Sequence, residues 1–112
     1  MIEMFLYDDQ SEAKIQFVGF VGEHSRYDLT LIYTDRHFGK TIVLNTQNNT
    51  FGIIGKDDLE EEGYISHVLG LSEEEGDEVT EYLHEVIDIY LKNHKKNILR
   101  LAMEKSMTID FF

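Results

Sequence analysis

The chain has 112 residues, of which 42% are apolar, and its 22 acidic and 10 basic side chains give a formal net charge of −12 at pH 7. Such a length fits one domain with a hydrophobic core, and such a charge argues against nucleic acid or an anionic membrane as a partner. The chain has no cysteine, which excludes a disulfide framework, a thiolate metal site and a cysteine nucleophile and favours a cytoplasmic location.

The charges are segregated along the chain. Residues 13–54 are almost neutral, residues 55–91 hold thirteen acids and one base, and residues 92–112 hold five bases and two acids. This order predicts an acidic block followed by a basic tail, and the two should meet partners differently.

The first half of the chain predicts β-structure. Apolar residues alternate or cluster in four short segments between about residues 14 and 54, and the alternation is clearest in residues 27–34. The connections are short and rich in glycine, asparagine and aspartate, which joins consecutive strands as antiparallel neighbours. We expect a four-stranded antiparallel meander with one packed face and one partly wet face.

The second half predicts helices at about residues 57–69, 72–91 and 94–105, with a break near Asn93 or Asn97 or a continuous helix there. The best local signal is Ser72 followed by Glu75, a capping box that begins an amphipathic helix. The fold class is therefore α+β, a meander packed by C-terminal helices in a single domain over residues 1–112. Residues 92–112 form a basic, apolar-ended tail that docks on its own subunit or on another.

Few residues suggest chemistry. The turn from Asp35 to Lys40 contains Arg36, His37 and Lys40, which could contact an anion such as phosphate or carboxylate. The alternative is a hairpin tip whose charges are solvated. No nucleotide-binding loop, calcium loop or nucleophile elbow occurs, so we predict no catalytic residue, no cofactor and no metal ligand.

The acidic block leaves three interpretations open. It could be a solvated helix face whose acids favour helix N-termini, a surface for a basic partner protein, or a loose cation site. The five histidines fit surface or boundary positions without a catalytic role.

Two stretches resemble a known family. They are Arg26-Tyr27-Asp28-Leu29 leading to Tyr33-Thr34-Asp35-Arg36 and Phe38-Gly39-Lys40, and Asp57-Asp58-Leu59-Glu60-Glu61 leading to Gly63-Tyr64. Over about residues 5–91 the chain resembles an uncharacterised family of small cytosolic proteins from low-GC Gram-positive bacteria. The resemblance implies a cytosolic, single-domain protein and transfers no catalytic residue.

Three functions follow as hypotheses. The first is a non-enzymatic protein-interaction or regulatory protein, homodimeric, whose partner is a second copy or a basic protein. The second is a small enzyme or an anion- or ligand-binding domain that uses the turn from Asp35 to Lys40. The third is an acidic mimic of nucleic acid that occupies a basic protein.

Overall fold

The computed structural model describes residues 1–37 and 39–104, with side chains described as far as residue 89 except for residue 88. The strands are β1 (Lys14–Val21), β2 (Arg26–Tyr33), β3 (Lys40–Asn45) and β4 (Thr50–Gly55). A short 3₁₀ helix, Asp35–His37, lies between β2 and β3. The helices are α1 (Lys56–Glu60), α2 (Tyr64–Val68) and α3 (Glu73–Glu104).

The four strands form one sheet in the order β1-β2-β3-β4, with every neighbouring pair antiparallel. The predicted meander and the α+β class are therefore confirmed. Short connections explain the order, because a chain that turns within a few residues can only pair with the strand it has just left. The β1–β2 turn is closed by the Gly22 amide, which donates to the Ser25 carbonyl at 2.8 Å.

The core lies between one face of the sheet and the helices. Its fully buried apolar residues are Tyr27, Leu29, Leu31, Val43, Ile54, Leu59, Ile65, Leu69, Val79, Leu83 and Ile87. Spacings of four residues in α3 and of two residues in β2 place these side chains on single faces of their elements. Phe20 adds β1 to this core, because its ring stacks on Tyr82 of α3 at a centroid distance of 4.8 Å.

Polar side chains anchor the helical layer at the β3–β4 turn. The side-chain amides of Asn45 and Asn48 donate to the Leu69 carbonyl at 3.0 and 2.9 Å, and the Thr50 hydroxyl lies 2.8 Å from the same oxygen. The Leu69 carbonyl lies at the C-terminal end of α2, where carbonyl groups have no hydrogen-bond partner within the helix. These contacts satisfy it and account for the burial of Asn45 in an otherwise apolar core.

The predicted helix over residues 57–69 is divided into α1 and α2. Glu61 is extended, with φ −85° and ψ 114°, and Gly63 has a left-handed φ of 80°. Glycine adopts that conformation without steric cost, so the chain turns here and begins a second short helix. The division lets Leu59 and Ile65 both reach the core.

The predicted helices over residues 72–91 and 94–105 are one continuous helix, α3. Its capping box is confirmed, because the Glu75 amide donates to Ser72 Oγ at 3.2 Å and the Ser72 amide donates to Glu75 Oε1 at 3.0 Å. No glycine or proline follows Gly76 before residue 104, and asparagine alone weakens a helix only slightly. The predicted docking of the tail, including Phe111 and Phe112, lies outside the described side chains.

Thr41 provides a test of the packing. It lies in the core with 0% exposure, and its hydroxyl has no hydrogen-bond partner among the described residues. A buried unpaired hydroxyl is costly, so Thr41→Val should raise the free energy of unfolding by about 1 kcal/mol, measured by urea denaturation.

Thr80→Val is the matched control, because the Thr80 hydroxyl already donates to the Gly76 carbonyl at 2.7 Å. The free energy of unfolding of this variant should not rise. An equal rise in that free energy for both variants, or a fall for Thr41→Val, would contradict the assignment of the Thr41 hydroxyl as an unpaired group.

Candidate functional site

The sheet face opposite the helices is apolar across all four strands. Residues paired directly across antiparallel strands share one face, and the pairing register produces two parallel rows of side chains. The rows are Ile15, Ile32, Ile42 and Ile53, and Phe17, Thr30, Leu44 and Phe51. We call these eight residues the open face.

Three of the four row ends are strongly exposed. Phe17 is 81% exposed, Phe51 62% and Ile15 57%, while Ile53 and the central residues are half-buried by their neighbours. An aromatic side chain presents about 150–250 Å², so Phe17 and Phe51 together expose roughly 200–350 Å². With its other members, the open face is at the upper end of the apolar patches found on monomeric proteins, and such patches mark interaction sites.

Charge on this side of the sheet is internally paired. Arg26 and Asp28 lie on the same face beyond Phe17, and their side chains form an ion pair at 3.2 Å. Gln47 also donates to Asp28 at 3.2 Å. The eight residues of the open face are not ionisable, and the ion pair beside them is neutral overall.

A shallow hollow borders the open face at the β3–β4 turn. It has a volume of about 230 Å³ and is lined by Leu44, Asn45, Thr46, Asn49, Thr50 and Phe51. Because two of these residues, Leu44 and Phe51, belong to the open face, the hollow extends that surface rather than forming a separate site.

The acids of the second half lie on the helical side. Nine of them are exposed, and we call these the acidic surface: Asp57, Glu60, Glu61, Glu62, Glu73, Glu74, Asp77, Glu81 and Glu85. Within the described residues, no three histidine or acidic side chains are grouped so that they could hold a metal ion. The three interpretations of the acidic block stay predictions.

Two further acids have structural roles: Glu75 forms the predicted capping box with Ser72, and Glu78 has a role that the sequence did not predict. The Glu78 carboxylate accepts hydrogen bonds from the amides of Glu23 and His24 and from the Tyr27 hydroxyl, the last two at 2.8 Å. A side chain at Gly22 would overlap this carboxylate. Gly22 therefore lets the β1–β2 turn close on α3, and no local pattern signals a contact 54 residues away.

These contacts change the ionisation of the groups involved. Partial burial acts to raise the pKa of Glu78, but the hydrogen bonds from Tyr27, His24 and Glu23 outweigh it and hold the pKa below its usual value. Hydrogen bonds from Ser72 and Ser25 likewise lower the pKa of Glu75. Burial, reinforced by the Glu78 carboxylate, raises the pKa of Tyr27, so its hydroxyl stays a donor.

The cationic side chains of Arg36 and Lys40, in the turn from Asp35 to Lys40, have separate partners. The Arg36 guanidinium contacts both carboxylate oxygens of Asp9, at 2.9 and 3.3 Å, and lies 5.3 Å from the centre of the Tyr7 ring. Hydrogen bonding to Asp9 raises the pKa of Arg36.

Lys40 instead contacts Asp58, with 3.3 Å between Nζ and Oδ2. The turn and the start of α1 therefore lie at the same end of the sheet. Arg36 and Lys40 have different carboxylate partners, His37 is half-buried, and Phe38 lies outside the described residues. Anion contact by Arg36, His37 and Lys40 stays a prediction.

The geometry is that of an α+β protein with its described helices on one side of a four-stranded meander and, on the other, an apolar face that these helices leave uncovered. The chain matches the family model described as SAV0927-like over residues 6–85, and it belongs to the SAV0927-like family. The matched range contains the whole sheet, α1, α2 and the first turns of α3. The predicted resemblance to an uncharacterised family is confirmed.

No curated protein matches the chain. None of the described helices has the length and apolar character needed to cross a bilayer.

Glu78 provides a pH-dependent test. Because its folded-state pKa lies below the usual 4.5, the carboxylate contributes stability above pH 4.5 and loses that contribution as the pH falls through the folded-state pKa. Glu78→Gln should therefore be less stable than the natural chain at pH 7, and the difference should shrink below pH 4.5. Urea denaturation over a pH series measures it.

Glu81→Gln is the control, since Glu81 is exposed on the same helix. Its stability should follow that of the natural chain at every pH. A Glu78→Gln variant that behaves in the same way would rule out the contact between Glu78 and the β1–β2 turn as a stabilising one.

Proposed function

We propose that this member of the SAV0927-like family is a non-enzymatic protein-interaction or regulatory protein that acts in the cytosol as a homodimer. The observation that carries the proposal is the open face, an apolar surface that none of the described helices covers. Burial of apolar surface is the main driving force of protein association. A face of this kind is therefore better suited to binding a protein than to holding a small substrate in a cleft.

The acidic surface adds a second contact region on the opposite side of the molecule. Its nine exposed carboxylates form a strongly negative surface, which attracts basic proteins over distance and speeds their association. A regulatory protein could thus pair through one side and meet a basic partner through the other.

The cytosolic location and a distribution in low-GC Gram-positive bacteria belong to the same proposal. The cysteine-free composition supports a reducing compartment. The stretches around Arg26 and Asp57 support the relationship to small proteins of those bacteria.

The homodimer is tested by light scattering on the full chain over a dilution series. We expect a species of about twice 13.1 kDa that dissociates on dilution. Deletion of residues 92–112 should weaken the dimer if the tail reaches the second subunit, and should leave it unchanged if the tail packs on its own. A monomer at every concentration would contradict the proposal.

The basic partner is tested with two double variants that change the net charge equally. Glu81→Lys with Glu85→Lys reverses charge on the acidic surface, and Glu3→Lys with Glu12→Lys reverses it in the exposed N-terminal segment. Affinity purification from the native cell should yield a basic protein with the natural chain and with the second variant only. Equal capture by both variants would remove the acidic surface from the proposal.

A further inference from the structure

We propose that the open face is the dimer contact, where a second copy of this chain packs sheet against sheet. The inference rests on the proposed homodimer and names the surface that forms it. In such packing two sheets lie about 10 Å apart with their strands roughly aligned, so each copy would cover both side-chain rows of the other.

The size of the open face suits a stable dimer. Strands of six to eight residues in a four-stranded sheet cover a footprint of about 400–500 Å². Side-chain relief makes the accessible area larger than this footprint. Complete coverage therefore approaches the roughly 800 Å² per partner of a standard interface, with Phe17 and Phe51 as aromatic anchors of the kind that dominate interface energies.

The distribution of charge favours a second copy as the occupant. A chain with a net charge of −12 can associate with itself only where its acids are remote from the contact. Sheet-to-sheet packing puts both acidic surfaces on the outside, roughly 30 Å apart if each helical layer adds about 10 Å. This is about four Debye lengths at physiological ionic strength, so the repulsion is largely screened.

The side chains of the open face are also compatible with their own copies. The two rows contain no ionisable group, and Arg26 and Asp28 beside them neutralise one another. An isologous contact places the same patch on both partners. No charge in this patch repels the same patch of a second copy. No unpaired charge in it favours a partner of opposite charge.

The described N-terminal segment does not occupy the open face. Phe5, Leu6 and Tyr7 are 69%, 87% and 74% exposed, which they would not be if they covered Phe17 and Phe51. Tyr7 and Asp9 instead contact Arg36, after the end of β2.

Edge-to-edge pairing through β1 is the other way for two copies to meet. It would extend the sheet and cover the backbone groups of β1, an apolar edge strand. However, it would leave Phe51 on β4, at the opposite edge, as exposed as before. Phe51 therefore separates the two arrangements, because only face-to-face packing buries it.

The experiment compares three single variants with the same change in charge: Phe17→Lys, Phe51→Lys and, as control, Ile89→Lys. Ile89 is 60% exposed on α3, on the helical side of the molecule. Circular dichroism establishes that each variant is folded, and sedimentation equilibrium gives the dimer dissociation constant. We expect Phe17→Lys and Phe51→Lys to raise that constant at least about 30-fold, as for the loss of an interface hot spot, and Ile89→Lys to leave it within about threefold.

The outcomes separate this inference from the proposed function. If the natural chain dimerises and Phe51→Lys does not weaken the dimer, the homodimer stands and the open face is not its contact. If only Phe17→Lys weakens it, edge pairing through β1 replaces face-to-face packing. If the natural chain is monomeric at every concentration, both proposals fail.

A second measurement covers the case in which a lysine variant does not fold. Because the chain has no cysteine, Thr30→Cys places a thiol at the centre of the open face and Glu81→Cys places one on the acidic surface. A bismaleimide should join two copies through position 30 and not through position 81.

If deletion of residues 1–9 turned a monomeric natural chain into a dimer, the N-terminal segment would be the occupant of the open face and the inference would be wrong.

Discussion

The three described helices all lie on the same face of the sheet, and the rest of the architecture depends on this. The chain completes its fourth strand at Gly55 and begins α1 at Lys56, so no α-helix of the described residues lies between two strands. The three described α-helices follow the meander and pack against one side of it. Within the described residues the core is therefore one-sided, and the apolar side chains of the other face are exposed or half-buried.

The one-sided core also explains why the acids collect where they do. Helices that cover a sheet present one stripe to the core and the rest to water, and here the water-facing part carries the nine carboxylates of the acidic surface. The other sheet face, which the described helices leave uncovered, lies away from these acids.

Part of the acidic block is structural rather than solvated. Glu78 closes the β1–β2 turn onto α3, Glu75 caps the start of that helix, and Asp58 accepts the Gly55 amide at 2.8 Å. Each carboxylate accepts a hydrogen bond from at least one backbone N–H group. These three acids join the ends of the sheet to the starts of the helices, and the other exposed acids are left for solvent or a partner.

The sequence by itself determined the strands, their antiparallel order and the start of α3, because each rests on neighbours within a few residues: short turns, alternating side chains and the Ser72 capping box. The alternation of side chains along β1 also places Ile15 and Phe17 on one side of the strand and Phe20 on the other. The sequence did not separate α1 from α2, because the turn depends on the conformations of Glu61 and Gly63 and on both helices reaching one core. Only the tertiary structure decided that two rows of side chains from four strands form one uncovered face, and that Glu78 meets a turn 54 residues away. Register across strands and packing between distant segments depend on the whole chain, and neither has a local pattern to reveal it.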